Sequence, residues 1–276
     1  MGARFPARLH VLLARDGRSG VVLRRGPAKS VCAVGWDRIK DRFTIGQWLR
    51  GRIYERRADL SPDGQHLIYF AMNGRWRDPV GGSWTAISRA PYLKALVLLA
   101  KGDCWHGGGL FLDRGTYWLN DGYGHRLVRD GAKLRRDLTW APPRHFGGEC
   151  PGVYYVRLLR DGWILTAEHH ANRNDACTVF EKSLRHGFVL RKIAHEQLGA
   201  APGHGPYWDE HELIDPSGQR QPLPDWEWAD LCGGTLVYAA AGCLYRVGMP
   251  GDAGLPVPRL LHDFNEMRFT AIRAPY

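Results

Sequence analysis

Ala58-Asp59-Leu60-Ser61-Pro62-Asp63-Gly64-Gln65-His66-Leu67-Ile68-Tyr69-Phe70-Ala71-Met72 reads as a strand, a tight turn and a second strand. Pro62 presets φ for a turn, and Asp63-Gly64 supplies a short polar residue and one that adopts φ > 0 without cost. Leu67 to Met72 is nearly continuous in apolar residues. An uninterrupted run of this kind is expected where neighbouring sheets cover both faces of a strand.

Similar units recur. Val153-Tyr154-Tyr155-Val156-Arg157-Leu158-Leu159 precedes Arg160-Asp161-Gly162 and then Trp163-Ile164-Leu165-Thr166. Ala229-Asp230-Leu231 precedes Cys232-Gly233-Gly234 and then Thr235-Leu236-Val237-Tyr238-Ala239, repeating the Ala-Asp-Leu, turn, apolar order of 58–70. Cys243-Leu244-Tyr245-Arg246-Val247 follows after another Ala-Gly turn. Nearer the start, Val21-Val22-Leu23, Val31-Cys32-Ala33-Val34, Phe43-Thr44-Ile45 and Gln47-Trp48-Leu49 keep the same rhythm between Gly, Pro and Asp. Short apolar runs bounded by turn residues predict an antiparallel meander. Repetition at about 40–55 residues fits propeller blades.

The stretch from Asp59 to Tyr69 resembles the blade motif of WD40-like (TolB-type) β-propellers, in which it marks the turn between two blade strands. The 229–247 unit resembles it more weakly, having lost the Ser-Pro-Asp, and the rest of the chain matches in rhythm only. The whole also looks like bacterial propeller-like proteins, for which the resemblance implies no activity. Such folds host binding, scaffolding and catalysis alike.

The expected fold is therefore all-β, a single-domain β-propeller over 1–276 with about five blades, six being the alternative. The blades fall near 7–50, 54–90, 91–140, 150–197 and 205–250, and the tail at 259–264 and 269–272 supplies closing strands. A β-sandwich and an irregular barrel carry less weight. The best helix candidate is 191–199, Arg191 to Gly199, which reads equally as a strand entering a loop.

The net charge is +10, and only seven of the 38 basic residues are lysine. No basic run exceeds a pair, as at Arg24-Arg25, Arg56-Arg57 and Arg135-Arg136, so nucleic acid or an anionic surface is a minor reading. The six cysteines include no C-x-x-C pair, which argues against a zinc knuckle and for buried free thiols. Leu9 to Ala14 is too short and too interrupted by His10 for a signal-peptide core, and no run reaches transmembrane length. A cytoplasmic protein is expected, with no membrane partner, cofactor or metal.

There is no P-loop, G-x-G-x-x-G, H-E-x-x-H or G-x-S-x-G. Three clusters hold the candidate site residues. The first is His204, Tyr207, Asp209, Glu210 and His211. If 207–213 is a strand, Tyr207, Asp209, His211 and Leu213 share one face and Trp208, Glu210 and Glu212 the other. Asp209 and His211 then offer two ligands of a metal or a base with its orienter, the plainer alternative being a half-exposed strand with an acidic outer row and a structural histidine. The second is the polar stretch 168–175, with His169 and His170, expected as a loop. The third is the glycine-rich 102–109, with Trp105 and His106. Among the tryptophans, Trp84, Trp105, Trp118, Trp140, Trp163, Trp208, Trp226 and Trp228 are expected mostly to pack between blades.

The leading functional expectation is a non-catalytic interaction module that binds a protein partner through one end of the fold. The alternatives are an enzyme, hydrolase or lyase, with a His/Asp/Glu site at the channel mouth, and a binder of nucleic acid or an anionic surface. The enzyme reading requires at least three of His106, His169, His170, His204, Asp209, Glu210 and His211 to converge.

Overall fold

The computed structural model describes residues 5–26, 29–147, 149–172, 175–197, 205–251 and 254–276. It is an all-β protein of five sheets with one α-helix and a single 3-10 turn among the described residues. The chain divides into two compact units, Met1–Arg157 with Glu266–Tyr276, and Leu158–Asn265.

The first unit contains three sheets. Strands β1 (Arg8–Leu13), β2 (Ser19–Arg25), β3 (Ser30–Asp37) and β4 (Arg42–Arg50) form an antiparallel meander. The two short runs read at 43–45 and 47–49 are thus one strand. The second sheet consists of β5 (Arg52–Leu60), β6 (His66–Met72), β7 (Ser83–Arg89) and β8 (Ala95–Ala100), with β11 (Arg126–Asp130) added beside β8. Between β8 and β11 the chain leaves to make a third sheet from β9 (Gly109–Phe111) and β10 (Thr116–Leu119), which β12 (Arg135–Arg136) joins in parallel.

The 58–72 unit forms the β5–β6 hairpin. Asp63 Oδ1 accepts the Ser61 hydroxyl at 2.6 Å and the Gln65 amide at 3.1 Å, while the Ser61 hydroxyl accepts the His66 amide at 2.9 Å. Gly64 sits at φ +72°, and a Cβ there would lie 2.4 Å from Ser19 Cβ, so glycine is required twice over. The turn is also pinned to the first sheet, because Pro62 O accepts the Asp16 amide at 2.8 Å.

The apolar run of β6 is explained by cover on both faces. Leu67, Tyr69 and Ala71 pack with Leu12, Val21, Leu23, Val31 and Ala33 of the first sheet. Ile68 packs with Phe111, Tyr117 and Leu119 of the third. Asp59 faces that third sheet as well, accepting the Phe111 amide at 2.8 Å.

One expected strand is corrected. Residues 153–159 are not a strand: they lie in helix α1 (Cys150–Arg160). Valine and tyrosine gave a strand-like composition, but Pro151 occupies the first turn, where its missing N–H costs nothing, and Gly162 at φ +85° follows the end. The division between the two units falls within this helix. Of the two readings open for 191–199, the strand holds over 191–197, which belongs to β15 (Val189–Gln197), and 198–199 lie outside the described residues.

The second unit holds two antiparallel sheets. One comprises β13 (Ile164–Asn172), β14 (Asp175–Ser183), β15, β16 (Tyr207–Ile214) and β17 (Arg220–Pro222). The stretch 168–172 is strand, not loop, since β13 and β14 pair up to Asn172↔Asp175. The other sheet comprises β18 (Trp228–Cys232), β19 (Thr235–Ala240), β20 (Cys243–Val247) and β21 (Arg259–Asp263). Its first two hairpins turn on Gly233-Gly234 and Ala241-Gly242, with all four residues at positive φ, as a two-residue turn of matched twist demands. The tail provides β21, whereas 269–272 has no regular structure.

Candidate binding surface

Three loops meet at one end of the second and third sheets of the first unit. They are 73–82 between β6 and β7, 101–108 between β8 and β9, and 120–125 between β10 and β11. The meeting is stitched by backbone and side-chain bonds. Ser83 Oγ donates to Asp103 O at 2.6 Å, Gly107 N to Asn120 O at 2.8 Å, and Arg126 Nη2 to Pro79 O at 2.8 Å.

Below the loops lies Arg57, which is 1% exposed. Its guanidinium donates to Cys104 O at 2.7 Å, His106 O at 2.5 Å, Glu149 Oε2 at 3.0 Å and Cys150 Sγ at 3.4 Å. A buried guanidinium with its donors engaged is a rigid clamp, and it holds the 104–106 backbone from beneath. The glycine run that follows allows close packing. A Cβ at Gly107 would lie 2.3 Å from the Phe70 ring, and one at Gly108 would lie 1.9 Å from Arg57 O.

Above this clamp the aromatic rings face outward. Trp76, Trp105 and Tyr123 are 55%, 53% and 57% exposed. Trp76 lies over Gly82, where a Cβ would come within 2.7 Å of the indole. The His106 ring stands edge-on to Tyr123 with centroids 5.6 Å apart, and Gly122 leaves it room. Lys101 Nζ sits 4.0 Å from the centre of Tyr123 and bonds Asp103 Oδ2 at 2.9 Å.

A buried relay supports the same loops. His125 Nδ1 is 2.7 Å from Asp121 Oδ1 and its Nε2 is 3.1 Å from Thr85 Oγ1, which accepts the Gly108 amide at 2.9 Å. Arg136 completes it on Asp121 Oδ2 at 2.8 Å. Burial lowers the His125 pKa against the pull of Asp121, which fits a neutral ring donating to Asp121 and accepting from Thr85. The connectivity is that of a nucleophile, base and acid. Thr85 is 0% exposed, however, so the relay braces the loops and reaches no substrate.

The other candidates are placed differently. On β16, Asp209, His211 and Leu213 are buried while Glu210 is exposed and Trp208 and Glu212 are partly so, as the pleat requires. Lys192 Nζ, from β15, lies 3.0 Å from His211 Nε2 and 3.7 Å from Asp209 Oδ2. His211 Nδ1 meets Trp226 O at 2.8 Å. Burial pushes the His211 pKa down to about 3, and the neighbouring Lys192 ammonium adds to the shift. The ring is therefore neutral, donating through Nδ1 and accepting the lysine proton at Nε2. Beside it, Lys182 bonds Asp230 Oδ1 at 2.5 Å, and Trp163 Nε1 bonds Asp230 Oδ2 at 3.2 Å. These contacts tie the two sheets of the second unit together.

On the opposite face Glu210 Oε2 lies 3.3 Å from His195 Nε2, and His195 stacks on Trp208. His169 and His170 are exposed on β13, opposite Cys177 and Ala176. Tyr207 pairs with Glu196 on β15. His204 lies outside the described residues. Among the sequence candidates, the structure thus brings Asp209 to His211 through Lys192, and Trp105 and His106 to the loop end. Trp76 and Tyr123 were not among the sequence candidates. The available signal was an aromatic flanked by cations, Arg75-Trp76-Arg77, inside a Gly/Pro loop.

Among the described residues no group of three His, Cys, Asp or Glu side chains is arranged to hold a metal ion. No described helix is long and apolar enough to cross a membrane. The cysteines are free, and Cys104 is exposed where burial was expected.

No protein-family model matches the chain, and no curated protein does. Among solved structures, it is similar to the hydrazine synthase of Kuenenia stuttgartiensis, at 10% identity and TM-score 0.33, over 90% of this chain and 78% of that one. It is also similar to U3-55K, at 9% identity and TM-score 0.28, over 94% of this chain and 83% of that one. Likenesses at these scores assign the chain neither an activity nor a partner.

Proposed function

We propose that the chain is a propeller-like, non-catalytic interaction module, with one blade per sheet and its docking surface on the loops 73–82, 101–108 and 120–125. The observation that carries this is the set of three outward aromatic rings on loops held from below by Arg57 and by the His125 relay. Exposed aromatics on a preorganised backbone are what binding hot spots are made of, because little is left to order on association. The blade reading is supported by sheets formed mostly of consecutive antiparallel strands and by a β6 covered on both faces. The catalytic alternative loses support because Asp209 and His211 are engaged in an internal network and Thr85 is sealed.

The test compares partners recovered on the intact protein, on Trp105→Ala/Tyr123→Ala, and on Val257→Ala, which alters a residue 93% exposed in the second unit. The double variant should lose its specific partners while keeping the thermal unfolding of the parent. Val257→Ala should retain them. Retention by both would overturn the reading.

A further inference from the structure

We infer that the ligand of this loop end is single-stranded nucleic acid, its bases stacked on Trp76, Trp105 and Tyr123 and its phosphates met by Arg75, Arg77 and Arg126. The inference rests on the docking surface proposed above and names its ligand.

Three observations carry it. First, the charges of the loops are sorted. The carboxylates of Asp103 and Asp121 are taken up internally, by Lys101 and by His125 with Arg136. Arg75 and Arg77 flank Trp76, are exposed, and have no ion pair among the described residues. Arg126 is exposed too and uses one nitrogen on Pro79 O, which fixes it at the rim with the rest of its fork outward. Asp78, partly buried beside Arg77, has no ion pair among the described residues, and the three arginines exceed it, so the local surface is net cationic.

Second, the exposed apolar area of the loops is mostly flat ring. The loops expose rings among glycines, and their aliphatic side chains larger than alanine are Pro79, exposed, and Val80, half-buried. Isolated flat rings offer π-faces and little contiguous apolar area. A base presents the matching face whatever its identity.

Third, rings and cations alternate. Trp76 lies between two exposed arginines in sequence, and the exposed Tyr123 stands three residues before the exposed Arg126. Loops 73–82 and 101–108 also touch, since a Cβ at Gly81 would lie 3.1 Å from Gly102 Cα. Alternation of stacking platforms with phosphate-binding cations is the pattern a single strand needs. Duplex bases, already stacked on one another, have no free face to offer.

The experiment measures fluorescence anisotropy of 5′-labelled 15-nucleotide oligo-U and oligo-dT, and of a duplex of the same length, on the full chain across a salt series. Both single strands are expected to bind at least ten-fold tighter than the duplex, and the tighter of the two distinguishes RNA from DNA as the source. Trp76→Ala and Trp105→Ala should each weaken binding about ten-fold at unchanged salt slope. Arg75→Gln/Arg77→Gln should reduce the slope by about 1.4, two phosphate contacts at about 0.7 each. Trp105 is exposed, so its variant keeps the test open if Trp76→Ala misfolds. Inorganic polyphosphate competing as well as the oligonucleotides, with the tryptophan variants unchanged, would overturn the inference in favour of bare charge. Absence of oligonucleotide binding, with protein partners still lost on Trp105→Ala/Tyr123→Ala, would overturn it and leave the docking surface standing.

Discussion

The loop 101–108 of the first unit and strand β16 of the second carry the same residue types, a tryptophan, a histidine and an aspartate, and use them oppositely. In the loop, Arg57 and the glycines consume the backbone's freedom, and Trp105 is left outside. On β16 the backbone is spent on ladder bonds, and the pleat sends Asp209 and His211 inward. Residue type therefore says little about exposure. What decides it is whether the backbone bonds to neighbouring strands or is clamped by a side chain.

The comparison breaks most sharply at Lys192. Its ammonium is 1% exposed and compensates Asp209, also nearly inaccessible. Lys192→Ala leaves that carboxylate buried without the cation, and removing one partner of a buried pair costs about 3–5 kcal/mol. Urea unfolding of the full chain measures the loss. Adding Asp209→Asn to the variant should recover part of it, because the buried charge is then gone.

Acid should act on the same network. The folded His211 stays neutral until about pH 3, whereas an unfolded histidine protonates near 6.5. The unfolded chain thus binds a proton that the folded one refuses. Stability from the neutral ring is present in full above pH 6.5 and is lost as pH falls towards about 3, to a total of a few kcal/mol. Unfolding free energy against pH for the parent minus His211→Asn should show this slope. A flat difference would place His211 outside the network.

Much of this architecture was legible locally. The Ser61-Pro62-Asp63-Gly64 turn closes through bonds among its own residues and their neighbours, so its chemistry is written within six positions. The alternation of β16 follows from period two alone. Helix α1 was hidden because Val153, Tyr154, Tyr155 and Val156 have strand propensity, and its signals were the less conspicuous Pro151 and Gly162. The loop end was legible only in part. Trp105 and His106 stood out beside their glycines, but the meeting of 73–82, 101–108 and 120–125 depends on β11 returning to pair with β8 after an excursion through another sheet. No local pattern records that return, so Trp76 and Tyr123 were missed.

A smaller effect tests the brace beneath the loops. Thr85→Val keeps the shape but removes the hydroxyl that accepts from Gly108 and faces His125 Nε2. Two buried polar groups lose a partner, which costs about 1–3 kcal/mol. Amide exchange should speed up at 101–108 and 120–125 and stay unchanged on β16. Equal loosening of both regions would mean that the relay supports the whole chain and not this end.

The smallest expected effect is the most discriminating. Trp105 is 53% exposed, and no hydrogen bond holds its indole among the described residues. Trp105→Ala should therefore change unfolding free energy by no more than about 0.5 kcal/mol, the range of ordinary surface substitutions. A buried tryptophan of the second unit, such as Trp163, bonded to Asp230 and 2% exposed, should cost about 3–5 kcal/mol when cut to alanine. If Trp105→Ala costs as much as Trp163→Ala, the ring is part of the fold and its exposure says nothing about ligands. If it costs almost nothing while binding falls, stability cannot be what the ring is there for.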